Sequence, residues 1–210
     1  MADRVVVPEG LLARVARSLA ERGEPAGATS RGETWLHGEP GEARPTPSRR
    51  AAVAALLHER DGDTGVLLMK RVERAGDPWS GHISLPGGGF HTEDETLLTT
   101  AIRETHEELG IDLGGARLLG GLPPLHPRAS GPGGIEVTPF VFAADVPPDV
   151  VCGPEALAAF WLPLGRARSG ALDATYHYPS SPMTFPSWRH EGHVIWGLTY
   201  RILLDLLALA

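Results

Sequence analysis

The chain has 210 residues, 42% of them hydrophobic, and a formal net charge of -7 from 19 Lys and Arg against 26 Asp and Glu. That length and apolar content suit one full-sized domain with its own core, and the acidic balance argues against a general nucleic-acid-binding surface. A single cysteine, Cys152, excludes an intramolecular disulfide and fits a reducing, cytoplasmic setting, where it reads as a small buried hydrophobe rather than a nucleophile.

The opening MADRVVVPEG lacks the basic region and apolar stretch of a secretory signal. Leu11, Leu12, Val15 and Leu19 then recur at helical spacing and predict a short amphipathic helix. Residues 21–50 are rich in Gly, Pro and charge and read as a loop or extended arm, so the organisation expected is a helix and arm over 1–48 followed by one domain over 49–210. Strands are predicted at 51–57 and 66–71, flanking the turn DGDTG as a hairpin, with a third at 82–85 leading into the glycine run PGGG.

Beyond that run the pattern becomes helical. Thr92 followed by Glu95 reads as a capping box, which starts a helix near Glu93. Leu98, Ala101, Ile102, Thr105 and Leu109 give it a stripe to bury, and Gly110 suits a left-handed C-terminal cap. Glu104, Glu107 and Glu108 are assigned to the opposite, solvent-facing side. Carboxylates three and four residues apart repel one another, and the last turn already carries the negative end of the helix dipole. A hard divalent cation such as Mg²⁺ or Mn²⁺ reverses that penalty, because it takes several oxygen ligands. An ordinary solvated face with an Arg103 and Glu107 pair is the bland alternative, and the adjoining glycines weigh against it: Gly87, Gly88 and Gly89 let backbone approach a ligand closely.

Further strands are expected at 117–122, 135–146 and 160–164, then a turn at 165–170 and a hairpin within 176–195. The final stretch, WGLTYRILLDLLALA, is interrupted by Arg201 and Asp205 and is too short to span a bilayer, so it reads as an amphipathic helix on the domain. Several strands with one central and one terminal helix predict a mixed sheet covered on both faces.

Gly89, Glu95, Arg103, Glu104, Glu107, Glu108 and Gly110 stand in the spacing G-x5-E-x7-R-E-x2-E-E-x-G, which resembles the signature box of the Nudix hydrolases. VLLMKRVERAGDPWSGHISLPGG resembles the region upstream of the box in the coenzyme A diphosphatases of that family. Leu67, Leu68, Arg71, Gly81, Pro86, Gly87 and Gly88 fit its pattern, Leu85 replaces a Phe, Met69 replaces a Thr, and its basic position falls on Gly76 or Asp77. HVIWGLTYRILLDLL is similar to the closing helix of the same group.

The resemblance implies an α/β fold, an α/β/α sandwich with a mixed sheet in which the box forms a loop-helix-loop. It implies hydrolysis of a nucleoside diphosphate linked to another moiety, coenzyme A or an acyl derivative first, with ADP-ribose, dinucleotides, nucleotide sugars or a nucleoside triphosphate as rivals. A Nudix isomerase and a non-catalytic nucleotide-binding module are the other classes; the first uses a cysteine near the site, and Cys152 lies outside the regions expected to supply it, while the second would follow from loss of box glutamates, none of which is lost. Mg²⁺ or Mn²⁺ would be held by Glu104, Glu107, Glu108 and the Gly88 carbonyl. Arg103 would orient the glutamates, with Glu95 as helix cap or outer partner. The catalytic base is either a box glutamate or Glu155 in a later loop. Arg71, Arg74, Gly87 and Gly88 would meet the substrate phosphates. His82, His91 and His106 lack zinc spacing. One of Trp79, Phe90, Trp161 and Trp188 is expected to stack on a base. The partner expected is this small molecule, without nucleic acid or membrane, and a homodimer is compatible with the sequence.

Overall fold

Alternation along two long strands decides how the molecule is layered. In the computed structural model, which describes residues 9–22, 49–74, 79–127, 133–179 and 182–210, β1 (Arg49–Arg60) sends Ala55 and Leu57 into one apolar cluster and Ala52, Ala54 and Leu56 into another. In β2 (Asp63–Arg71), Val66 and Leu68 join the first cluster while Leu67 and Met69 join the second. Side chains on a strand point to opposite faces in turn, so a strand apolar on both faces belongs to a sheet covered on both sides. Most of the arm (23–48), the first eight residues of the chain and the Gly76 and Asp77 position lie outside the described residues.

Asp61 and Gly62 join β1 to β2 with φ of 50° and 79°, the pair of left-handed conformations that a two-residue hairpin turn requires. The two strands stay together only where Leu57–Arg60 faces Asp63–Val66. Upstream they diverge: Ala51–Val53 pairs with β4 (Gly87–Gly89), and Met69 and Lys70 pair with β3 (Ile83–Ser84). The glycine segment is thus a strand set into the gap between β1 and β2, where the sequence suggested a loop.

Along its other edge β1 runs parallel to β6 (Ile135–Ala143), which pairs antiparallel with β5 (Arg117–Gly121). On the far edge of β2 lies β7 (Ala156–Pro163), completing a seven-stranded mixed sheet. A separate three-stranded sheet follows, formed by β8 (Asp173–His177), β9 (Thr184–His190) and β10 (His193–Trp196). One hairpin was expected there; the tight turn at Glu191 and Gly192, with φ of 49° and 79°, adds a third strand.

Helix α1 (Leu11–Glu21) buries Leu11, Val15 and Leu19 in the first cluster. Helix α2 (Leu97–Leu109) covers the opposite face, through Leu97, Ala101 and Leu109. After the short α3 (Leu164–Arg168), helix α4 (Gly197–Leu207) returns to the first face with Ile202, Leu203 and Leu206. The architecture is therefore the expected α/β/α sandwich, with α1, α4 and the small sheet on one side and α2 on the other. No described helix is long and apolar enough to cross a membrane.

Candidate active site

The acidic helix starts later than the sequence suggests. Thr92–Asp94 forms one 3-10 turn, Glu95 is exposed at a φ of 59°, and α2 begins at Leu97 with Thr96 as its cap, accepting from the Thr99 amide at 3.1 Å. Asp94 explains the delay. It is only 3% exposed and accepts from the His91 amide (2.9 Å), the Thr100 hydroxyl (2.9 Å), and Nε and Nη2 of Arg103 (2.6 and 2.9 Å). A buried carboxylate this fully satisfied fixes the turn around itself, and Glu95 is left without the capping role. At the other end Gly110 behaves as expected, with a φ of 67° and its amide donated to the His106 carbonyl.

Arg103 is the hub of the site. Besides Asp94 it donates through Nη1 to Glu104 (2.9 Å) and Glu107 (3.2 Å), and through Nη2 to the Gly89 carbonyl (3.1 Å). One planar guanidinium thus ties the 3-10 turn, the acidic face and the glycine strand together. Its hydrogen bonds hold the Asp94 carboxyl well below the usual carboxylate range, and Asp94 in turn pushes the guanidinium further up.

The glycine strand lies directly on the helix. A Cβ at Gly87, whose φ is 147°, would collide with the Ala52 carbonyl, and one at Gly88 would come within 2.5 Å of the Glu104 carboxyl carbon. The Gly87 amide donates to Glu108 Oε2 at 2.8 Å. Glu108 is only 2% exposed, which corrects its assignment to the solvent face: it shares the inward side with Thr105 and Leu109 and turns its carboxylate to the glycine backbone. Burial pushes Glu108 up to about 7, the Gly87 amide opposes this, and the neighbouring Glu104 adds to it. Glu104 is also raised by burial, against the pull of Arg103, whereas the Glu107 side chain is 56% exposed. Thr105 fits its apolar position by donating its hydroxyl to the Ala101 carbonyl at 2.7 Å.

The loop between β6 and β7 closes the end of α2. The Val151 amide donates to the Leu109 carbonyl (2.9 Å) and the Gly153 amide to the Glu108 carbonyl (2.8 Å), which satisfies carbonyls that a helix end leaves open. Cys152, between these inward-facing amides, is exposed and not buried as expected. Three residues on, the Glu155 carbonyl accepts from the Val72 amide at 3.0 Å and its carboxylate pairs with Arg74 at 3.0 Å. Glu155 lies near enough to Glu108 to raise its proton affinity, and Arg71 near enough to lower it.

The structure therefore gathers Arg71, Arg74, Gly87, Gly88, Arg103, Glu104, Glu107, Glu108 and Glu155 around the junction of β4, α2 and the loop before β7. Trp188 leaves the set of stacking candidates: it is 1% exposed, packed on Tyr200 and bonded to Asp173. Trp161 packs on His58, and Phe90 lies beneath the Arg50 guanidinium at 4.3 Å. Asp94 is the member that sequence reasoning missed. Its only signal was an acid beside the proposed cap, and Glu95 fitted that pattern better.

Among the described residues, no three His, Cys, Asp or Glu side chains form a ready-made metal site, and Arg103 engages both Glu104 and Glu107. The donor chemistry does fit a hard divalent cation: two desolvated, mutually repelling carboxylates stand beside glycine backbone that leaves room for approach. A glycine strand laid on a helix that carries these acids, inside a mixed sheet covered on both faces, is the setting in which the residues resembling the Nudix box stand. The NUDIX domain model matches residues 48–182. The uncharacterized Nudix hydrolase NudL of Citrobacter koseri is 30% identical over 168 residues, covering 77% of this chain and 83% of the relative. Among solved structures, a NUDIX hydrolase from Alicyclobacillus acidocaldarius superposes with a TM-score of 0.50 at 20% identity, over 76% of this chain and 91% of the other. A bifunctional NMN adenylyltransferase/ADP ribose pyrophosphatase from Francisella tularensis, complexed with AMP and a Mn ion, gives 0.53 at 20% identity, over 78% and 42%. This chain belongs to the Nudix hydrolase family.

Proposed function

We propose that the protein hydrolyses the diphosphate bond of a nucleoside diphosphate linked to another moiety, with Mg²⁺ or Mn²⁺ as cofactor. The observation that carries this reading is the contact of the glycine strand with the acidic helix, the Gly87 amide on Glu108 and the Gly88 backbone against Glu104. Glu104, Glu107, Glu108 and the Gly88 carbonyl would hold the cation, which when bound neutralises diphosphate charge and lowers the pKa of a water. Arg103 positions Glu104 and Glu107. Arg71 and Arg74, with the backbone of Gly87 and Gly88, line the phosphate side.

Water adds to one phosphorus as the P–O–P bond breaks, leaving two phosphate monoesters. Its proton goes to Glu155 in this reading, the carboxylate near Glu108 that is not assigned to the cation, with Arg74, its partner in the structure, turning to the substrate phosphates. Coenzyme A or an acyl derivative is the first substrate, on the pattern of Leu67, Leu68, Arg71, Gly81 and the PGG run, with ADP-ribose, dinucleotides and nucleotide sugars next.

The test is mass-spectrometric product analysis in H₂¹⁸O with Mg²⁺ or Mn²⁺ and a panel of these compounds, beside Glu108→Gln and Glu155→Gln. Cleavage of coenzyme A to phosphopantetheine and 3′,5′-ADP is expected. Turnover should fall by orders of magnitude in Glu108→Gln and more than tenfold in Glu155→Gln. Near wild-type turnover in Glu108→Gln would refute the cation assignment, and in Glu155→Gln the base assignment.

A further inference from the structure

The small sheet has two unlike faces. Trp188 and Ile195 are register partners and are buried in the core. The partners Tyr176 and Phe185, and the partners Ser187 and Trp196, lie on the other side. There Tyr176 stacks on Trp196 at 4.1 Å and 25°, Phe185 tilts against the same indole at 5.5 Å, and Tyr178 meets it edge-on at 5.9 Å. A core would bury such rings, yet Tyr178 is 42% exposed and the other three are half-buried. Beneath them Ser187 is 1% exposed with a hydroxyl that has no hydrogen-bond partner among the described residues. A buried polar atom left unpaired is costly, and it marks a place where ring movement would admit a ligand's polar edge.

His82 links this face to the candidate active site. His82 lies edge-on to Trp196 at 5.1 Å and accepts the Arg71 amide on its carbonyl at 3.0 Å. The Thr199 hydroxyl, just past β10, donates to the Ile83 carbonyl at 3.0 Å, which fixes the small sheet to β3. From His82 the chain reaches Gly87 in five residues, a span of at most about 17 Å. That is on the scale of an extended nucleotide.

We infer that the Tyr176, Tyr178, Phe185 and Trp196 face binds the nucleobase of the substrate whose diphosphate lies at the glycine strand. Exposed π-faces around an indole accept a flat heterocycle by stacking, whatever the base, and are indifferent to a ribose or phosphate alone. The inference rests on the diphosphatase reading above and names where the base sits.

The experiment titrates AMP, with ribose 5-phosphate as the base-free control, into the full chain in Mg²⁺, following tryptophan fluorescence and saturation-transfer NMR of the adenine protons. Wild type, Tyr178→Leu, Trp196→Leu and Glu104→Gln are compared. AMP should quench the wild type, and Tyr178→Leu should weaken AMP about tenfold while leaving ribose 5-phosphate unchanged. Trp196→Leu should lose most of the quench; should it fail to fold, the exposed Tyr178 variant still decides. Equal AMP affinity in wild type and Tyr178→Leu, or no AMP binding to the wild type, overturns the inference. AMP binding that depends on Tyr178 and survives in Glu104→Gln supports it even if no diphosphate is hydrolysed. Hydrolysis with AMP affinity independent of Tyr178 leaves the diphosphatase reading standing and removes this one.

Discussion

Asp94 and Arg103 face each other across two hydrogen bonds, one partner almost wholly buried and the other about a quarter exposed. Replacing Asp94 by Asn leaves a guanidinium without its main counter-charge, a change that costs about 3 to 5 kcal/mol in buried pairs. The lower end is expected, because Arg103 keeps Glu104 and Glu107, so the melting temperature should fall by about 6 to 12 °C. Since the Asp94 carboxyl is held below its ordinary range, its stabilising contribution is present above about pH 4 and is lost as pH falls through the depressed folded value. Urea midpoints measured from pH 5 to 2 should therefore fall more steeply in the wild type than in Asp94→Asn; parallel curves would exclude the pair as a source of acid sensitivity. Gly88→Ala separates chemistry from stability. Its Cβ meets the end of a flexible side chain, so Glu104 can swing aside at a cost of about 1 kcal/mol, while the proposed cation site loses its geometry. Turnover and Mn²⁺ affinity should each drop at least tenfold with little change in melting temperature, and unchanged turnover would place the cation elsewhere.

Elements with strong local patterns were legible, whereas those fixed by distant partners were not. The hairpin around Asp61 and Gly62, the α2 stripe through Ala101 and Leu109 and the terminal helix all follow from periodicity and turn chemistry within a few residues. The start of α2 was misplaced because Asp94 takes its partners from Arg103, nine residues on, and a capping pattern cannot register that. Glu108 was put in solvent because a carboxylate on a helix is ordinarily exposed; only the amide of Gly87, from another strand, makes its burial tolerable. The loop that closes α2 was equally hidden, and it can be tested. A Cβ on Gly153 would run into the Glu107 carbonyl, which is backbone and cannot swing away. Gly153→Ala should destabilise by about 1 to 3 kcal/mol and free Glu155 from its register, lowering kcat at temperatures where the fold is intact. Unaltered urea midpoint and kcat would show that the loop does not brace the helix.

At the scale of the whole molecule, α1 stands apart from the sheet in sequence, with residues 23–48 between them, yet it shares one apolar cluster with β1, β2 and α4. Ser18 donates to the Leu209 carbonyl at 2.7 Å, so α1 is also tied to the far end of the chain. Leu19 sits against Gly120 of β5, whose φ of 152° and missing Cβ allow the helix to approach. These contacts predict that α1 and the domain unfold as one cooperative unit, although the sequence reads as a helix and arm followed by a separate domain. Leu19→Ala should then cost about 2 to 5 kcal/mol, from lost burial and the cavity left behind, and lower the melting temperature of a single transition by about 4 to 20 °C. Leu19 is remote from the acidic helix, on the opposite face of the sheet, so kcat well below the melting temperature should be unchanged. Two calorimetric transitions, with the one governing activity unmoved by the substitution, would instead make α1 an appendage that docks on a domain complete without it.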